Sequence, residues 1–311
     1  MRALVAGGAG LLGTTMCGRL LDRGYEVVCV DNLVTGSAAN VKSLLDRPGM
    51  AFIEADITGP VPVSGRFDAV VNLACPASPV DFGPLAIEIL DVCSRGVANL
   101  LGVAARDGAR FLQASTSEVY GDPLVHPQPE TYWGNVNPVG PRSVYDEAKR
   151  FAEALVMAHH RKHGTLVRIA RIFNTYGPGM RPDDGRVVSN FVTQAIRGEP
   201  LTVYGDGSQT RSLCFVEDEV DGLIALLESD ITGPVNIGND DERTVLELAE
   251  LIVELTGSSS TISFKDRPVD DPSQRRPDLT LARSRLGWQP TTPVREGLSR
   301  TVEWFRDRMQ Q

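Results

Sequence analysis

A chain of 311 residues with 42% hydrophobic and 23% charged side chains can bury a substantial core, as one large domain or two closely packed ones. Thirty-one basic against forty acidic residues give a net charge of −9 with no basic run, which disfavours a nucleic acid or an anionic membrane as partner and leaves an anionic substrate to a few local arginines. No apolar run approaches the ~20 residues that span a bilayer, so a cytoplasmic enzyme is the expectation.

In chain order, Ala3 to Ala6 reads as a buried parallel strand, Gly7-Gly8-Ala9-Gly10-Leu11-Leu12-Gly13 as a turn, and Thr14 to Arg23 as a helix ending at Gly24. That order is the dinucleotide fingerprint: Gly7 permits the tight turn, Gly10 the approach of backbone to a pyrophosphate, and Gly13 the close packing of helix on strand. Glu26 to Val30 is the second strand and ends at Asp31, eighteen residues beyond Gly13. A carboxylate there accepts hydrogen bonds from ribose hydroxyls and repels a 2′-phosphate, which favours NAD over NADP. Strands follow over Ala51 to Ala55 and Ala69 to Ala74, and a helix over Ile87 to Arg106.

The apolar run Ala109 to Ala114 reads as a strand that delivers Ser115, Thr116, Ser117 and Glu118 to its carboxyl edge, where open α/β sheets bind ligands. Tyr145 and Lys149, four apart, share one helix face, and an ammonium beside a phenol favours the phenolate. Leu166 to Ile172 is a further strand with exit loop Phe173-Asn174-Thr175-Tyr176-Gly177-Pro178. Val187 to Arg197 is helical, and Leu201 to Gly207 suggests a hairpin arm. Phe215 to Glu228 is helical, Val235 to Ile237 a short strand, and Thr244 to Thr256 a helix with a capping box between Thr244 and Glu247. The stretch 267–278 is polar and proline-rich, as in a linker, and Leu298 to Met309 is the last helix. Five cysteines lack C-x-x-C spacing and His159 and His160 are adjacent, which indicates neither a disulfide framework nor a metal site.

The motifs T-S-E-V-Y-G-D-P (Thr116 to Pro123), H-P-Q-P-E-T-Y-W-G-N-V-N-P (His126 to Pro138) and Y-D-E-A-K-R (Tyr145 to Arg150), with the glycine loop upstream, resemble the extended short-chain dehydrogenase/reductase family, and within it the UDP-glucuronate decarboxylases. The resemblance runs from Leu4 to about Trp304. It implies an α/β architecture: a doubly wound parallel-sheet Rossmann domain over 1–175 plus about 212–236, and a smaller mixed α/β nucleotide-sugar lobe over 176–211 and 237–311. It also implies NAD-dependent conversion of UDP-glucuronate to UDP-xylose through a 4-keto intermediate, and a homodimer built on helices including Leu90 to Arg106 and the Tyr145 helix. A UDP-glucuronate 4-epimerase, a nucleotide-sugar dehydratase and a non-catalytic NAD-sensing protein are the alternatives.

By the same resemblance, Thr116, Glu118, Tyr145 and Lys149 are catalytic, with Arg275 a proton donor or, more readily, a phosphate ligand. The cofactor falls to Gly7, Gly10, Leu11, Leu12, Gly13, Asp31, Asn32, Thr35, Gly36, Ser37, Asp56, Ile57, Leu73, Ala74 and Arg186 beside Tyr145 and Lys149. The nucleotide sugar falls to Pro79, Asn99, Arg106, Glu118, Asn174, Val188, Tyr204, Gln209, Arg211 and Arg275, and the segment 267–278 becomes a substrate-binding loop. One departure stands out: Asp91-Val92-Cys93 occupies the place of Lys-Thr-Asn, and an acid there is expected to repel a sugar carboxylate unless it is turned away.

Overall fold

The computed structural model describes residues 1–267 and 270–310. Short apolar strands, β1 (Arg2–Ala6), β2 (Glu26–Asp31), β3 (Met50–Glu54), β4 (Ala69–Asn72), β5 (Arg110–Thr116) and β6 (Val167–Ile172), join the strand Pro234–Ile237 in one parallel sheet. The spatial order is β3-β2-β1-β4-β5-β6 and then Pro234–Ile237. Strand order therefore reverses between β1 and β4, and the carboxyl ends of these two open the crevice in which doubly wound sheets take their ligand. Buried polar residues on the inner strands are paired sideways: Asn72 Nδ2 donates to Gln113 Oε1 at 2.9 Å across the β4–β5 register.

One face of the sheet is covered by α1 (Leu11–Asp22) and α7 (Val216–Glu228), with Leu20, Leu223 and Leu227 in a core that Leu279, Ala282 and Trp288 also enter. On the other face lie α3 (Ala86–Asp91), α4 (Val97–Asp107) and α5 (Ser143–His163), with Leu100, Val156 and Phe111 buried between helix and sheet. A third core, around Phe191, Leu248 and Phe305, belongs to α6 (Val187–Arg197), α8 (Val245–Thr256) and α9 (Val294–Met309).

Several elements differ from their sequence outlines. Helix α1 starts at Leu11, directly on the glycine turn, rather than at Thr14. The helix expected over Ile87 to Arg106 contains a wider π-helical turn, Val92–Gly96, where Gly96 packs on the Ile57 side chain. Leu201–Tyr204 is not one arm of a hairpin: it pairs in parallel with Ile262–Lys265. Helix α9 begins a turn before Leu298, immediately after Pro293, since proline cannot serve as a donor and suits a helix start. The capping box of Thr244 and Glu247 is formed on both sides.

The polar segment 267–278, of which Pro268 and Val269 lie outside the described residues, is fastened to the body. Fully buried Gln128 is the fastener: its N–H donates to Arg276 O, its Oε1 accepts from the Arg276 N–H, and its carbonyl accepts from the Asp278 N–H, all at 2.9 Å. The composition reads as a linker, but a linker would leave these backbone groups to water.

The tightest constraint is at the glycine turn. A methyl group at Gly13 would collide with the Gly7 carbonyl oxygen and with Gly8 Cα, both backbone atoms that cannot yield. Gly13→Ala is therefore expected to destabilise the protein by ~1–3 kcal/mol, the usual cost of overpacking. The check is a drop in the urea midpoint at unchanged slope; an unaltered midpoint would show that the turn has slack.

Candidate active site

The carboxyl ends of β1, β4, β5 and β6 open into one cleft. Gly7, Gly10, Leu11, Leu12, Gly13, Thr35, Leu73, Pro79, Thr116, Glu118, Tyr145, Lys149, Asn174 and Arg186 line it. An adjoining cavity is lined by Asp31, Asn32, Thr35, Gly36, Asp56, Ile57 and Ala74. Most of the expected residues thus meet along one crevice, although they lie up to 179 positions apart in the chain (Gly7 to Arg186).

The residues present fit a dinucleotide. Gly7, at φ +77°, turns the chain, and a methyl on Gly10 would have only the Gly7 oxygen at 3.5 Å near it, so that backbone face stays open beside the amino terminus of α1, where unpaired N–H groups suit a pyrophosphate. Asp31 accepts from the Ala9 N–H at 3.0 Å and the Leu33 N–H at 2.8 Å; burial raises its pKa against those two bonds. Gly36 lies over that carboxylate, where an added methyl would come within 2.8 Å of Oδ1. Asn32 ties Asp56 at 3.1 Å, and Ser37 uses its hydroxyl to cap the helix Ala38–Leu45. Arg186 is engaged by the Asp184 carboxylate on both oxygens.

At the other end of the cleft, α5 presents Tyr145, 6% exposed, with the Phe82 ring stacked on it at 4.9 Å. Lys149 donates from Nζ to Ala114 O at 3.0 Å, with Nζ 5.6 Å from the Tyr145 ring centre. The expected phenolate is not what this arrangement favours by itself. Burial pushes the Tyr145 phenol up to about 12, outweighing the downward pull of Lys149 and of a hydrogen bond with Thr116. The ammonium faces a carbonyl and an uncharged ring, so a further positive charge is required before the phenol can act as a base near neutral pH.

Glu118 follows directly on β5, in the one-turn helix Ser117–Tyr120, and its N–H is capped by the Thr116 hydroxyl at 3.2 Å. Two guanidiniums clamp its carboxylate: Arg142 Nη2 at 2.5 Å and Arg275 Nη2 at 3.2 Å. Burial alone would raise Glu118, but Arg275, Arg142 and Arg211 override it and hold the carboxyl at about 2. A lattice of further bonds fixes this turn. Tyr120 donates to Asn236 Oδ1 at 2.7 Å and accepts from Arg171 Nη1 at 3.1 Å, and Arg171 grips Glu153 with Nε and Nη2 at 2.9 and 2.8 Å. Glu153 also accepts from Ser115 at 2.6 Å, which ties α5 to β5.

Several expected substrate residues are placed elsewhere. Asn99 donates to Ile57 O and Gly59 O, both at 2.8 Å, fastening α4 to the loop after β3. Arg106 lies at the opposite edge of the sheet, paired with Asp107 and donating to Gly65 O. Asp91 lines the adjoining cavity with Asp31 and Asp56 and pairs with Arg95 at 3.8 Å, so the acid is turned away from Tyr145 and Glu118. Val188 packs in the core of α6, α8 and α9. Gln209 Nε2 donates to Tyr204 O at 2.6 Å, and Gln209 is not among the residues that line the cleft. Arg275, 1% exposed, donates to Ser117 O at 2.7 Å and faces Glu118, while Arg211 pairs with Asp271 at 3.0 Å. Both guanidiniums thus face protein carboxylates in this structure, Glu118 for Arg275 and Asp271 for Arg211.

Sequence reasoning missed Arg142 and Asp146; among the described residues the buried Nε of the one and the buried Oδ1 of the other have no partner. The signal available was position: both flank Tyr145 at the start of a helix, one turn or less from the phenol.

Comparison with known proteins agrees with this geometry. A family model described as "NAD dependent epimerase/dehydratase family" matches residues 3–238. UDP-glucuronic acid decarboxylase 1 of Arabidopsis thaliana is 52% identical over 309 residues, 99% of this chain and 71% of that protein. Among solved structures, the UDP-glucose 4-epimerase of Thermotoga maritima with UDP-glucose superposes at TM-score 0.92 with 30% identity, covering 99% of this chain and 100% of that one. The UDP-glucuronic acid 4-epimerase of Bacillus cereus, in complex with UDP-glucuronic acid and NAD, does so at 0.88 with 27% identity and 99% of each chain.

The clamp on Glu118 is testable without any ligand. Arg142→Ala removes the shorter of its two ion pairs and is expected to raise the Glu118 pKa by ~1 unit or more. Carboxylate carbon shifts in glutamate-labelled protein report it, and a value still near 2 in the variant would assign the whole effect to Arg275 and Arg211.

Proposed function

The chain belongs to the NAD dependent epimerase/dehydratase family, and on that premise we propose that it decarboxylates UDP-glucuronate to UDP-xylose through a 4-keto intermediate. The observation that carries the choice of decarboxylase over epimerase is the 52% identity to a UDP-glucuronic acid decarboxylase across 99% of the chain. The position of Glu118 in the same cleft as Tyr145 supports it. Direct loss of CO₂ from a hexuronate would leave an unstabilised carbanion, so C4 must first become a ketone. When bound, NAD⁺ supplies the hydride acceptor and a positive ring whose field adds to that of Lys149.

Tyr145 takes the proton of the 4-hydroxyl and later returns it, with Thr116 hydrogen-bonded to the same oxygen. Lys149 lowers the cost of the phenolate. The cluster of Arg142, Arg275 and Arg211 around one ionised Glu118 gives this end of the cleft a positive excess. A glutamate alone would repel the substrate carboxylate; flanked in this way, it positions guanidinium donors and water beside that group. Arg142 and Asn174 line the same cleft, and among the described residues Arg142 Nε and the Asn174 amide oxygen have no hydrogen-bond partner.

A homodimer in the cytoplasm completes the reading. Ile87 and Leu90 on α3 and Phe151 on α5 are apolar yet 67%, 40% and 52% exposed, a face that a second copy would cover. Among the described residues, no helix is long and apolar enough to cross a membrane.

Incubation with UDP-glucuronate and NAD⁺ tests the activity: NMR is expected to show a UDP-pentose and mass spectrometry the matching loss of CO₂. A hexuronate inverted at C4 would establish the 4-epimerase instead. Tyr145→Phe is expected to reduce turnover by ~10²- to 10⁴-fold, as for loss of a general base, while NAD binding persists; near-normal turnover would remove the assigned role.

A further inference from the structure

Decarboxylation of UDP-glucuronate consumes one proton per turnover, and Tyr145, Glu118 and the arginines around them cannot supply it; the need for a further donor rests on the decarboxylase reading of the function. When the C5–C6 bond breaks and CO₂ leaves, the bonding pair passes into an enolate across C4 and C5, and C5 must then accept a proton. The proton on Tyr145 is committed, because it returns to the C4 oxygen when the ketone is reduced. Glu118, held at about 2 by its guanidiniums, carries none at neutral pH. Arg142 and Arg275 are far too weak as acids.

Behind Glu118 and Arg142, which face the cleft, the same two side chains also line a second cavity, with Asp146, Gly121, Asn135 and Ser273 around it. Helix α5 connects the two spaces. Tyr145 and Asp146 are consecutive and point ~100° apart around the axis, so the phenol enters the cleft and the carboxyl enters the cavity behind. Asp146 is 6% exposed, and its Oδ1 is out of solvent with no hydrogen-bond partner among the described residues. Among the described residues it forms no ion pair, and Arg142 directs Nη2 to Glu118 at 2.5 Å. A buried carboxyl without a cation or a full set of donors is most stable uncharged.

We propose that Asp146 in its neutral form holds the proton that C5 receives, delivers it through water ordered by Glu118 and Arg142, and is recharged from solvent by way of the second cavity. The electron and proton balance closes: the enolate pair forms the new C5–H bond, Asp146 becomes a carboxylate, and one solvent proton restores it. Burial and then the charge of Glu118 push Asp146 up to about 7, against the pull of Arg142 and Arg275, with Glu147 adding to the rise. Asp122, from the loop after the Ser117–Tyr120 turn, and Arg267, Asp270 and Asp271 from the segment 267–278 face the same cavity. Asp146 is the proton source and acts on C5 through that water rather than by touching the sugar.

The test is the pH dependence of kcat for CO₂ release in the unsubstituted protein, Asp146→Asn and Asp146→Glu, each with NAD⁺ and UDP-glucuronate. For the unsubstituted protein, kcat is expected to fall as pH rises through about 7, because the neutral acid is lost on that side. Asp146→Asn should lower kcat at pH 7 by ~10²-fold, the scale of a lost general acid, with little change in KM. It should also lack the alkaline fall and accumulate NADH absorbance in a single turnover, as the later step stalls. Asp146→Glu, which keeps an acid, should recover both rate and limb. An Asn variant with the normal rate and limb would overturn the assignment, as would a uniform loss that leaves the limb in place. Absence of CO₂ from the unsubstituted protein would instead overturn the decarboxylase reading, an outcome independent of any difference among the variants.

Discussion

A carboxylate kept out of water between two guanidiniums is the constraint on which this site depends. Taking such ions out of water costs several kcal/mol each even after relaxation, and the cost is recovered only if the partners are held in place. Glu118, Arg142 and Arg275 come from three separate stretches of chain, so each needs its own support. The Tyr120–Asn236 and Arg171–Glu153 bonds hold the turn that carries Glu118, the start of α5 carries Arg142, and Gln128 holds the segment that carries Arg275. Much of the polar structure beneath the cleft serves to keep three charges in register.

That arrangement separates the carboxyls by protonation state. Glu118 is drawn far below the ordinary carboxylate range, while Asp146, in the second cavity that the two share and without an ion pair among the described residues, is raised to about 7. Two carboxyls whose environments push them apart is the pattern expected of separate electrostatic and acid roles. Tyr145 stands at the other extreme, its phenol pushed up by burial until positive charge gathers beside it.

The strand, glycine turn and helix order was legible because each step obeys a local rule: buried β-residues, then glycines where backbone meets backbone, then a helix. Asp31, Tyr145 and Lys149 were legible for the same reason, as residue types whose chemistry follows from spacing along one element. Asn99 and Arg106 were not, because matching a position says nothing about which neighbour takes the side chain; Ile57 O and Gly59 O hold the one, Asp107 and Gly65 O the other. Asp91 was read as a threat to an anionic sugar, yet a helical side chain is aimed by its helix, and α3 aims it at Arg95 and the adjoining cavity. The segment 267–278 looked like a linker because composition cannot show that Gln128, some 150 residues earlier (Gln128 to Asp278), completes its hydrogen bonds. Arg142 and Asp146 were passed over since neither type nor spacing marks a charge as buried.

Whether the clamped Glu118 serves the step after oxidation is read from Glu118→Gln followed in parallel by NADH absorbance and labelled CO₂ from UDP-glucuronate carrying ¹⁴C at C6. NADH is expected to form in a single turnover while CO₂ release falls by ~10²-fold or more, because the amide keeps the shape and loses the charge that orders Arg142 and Arg275. Release of CO₂ from the Gln variant at the unsubstituted rate would contradict it.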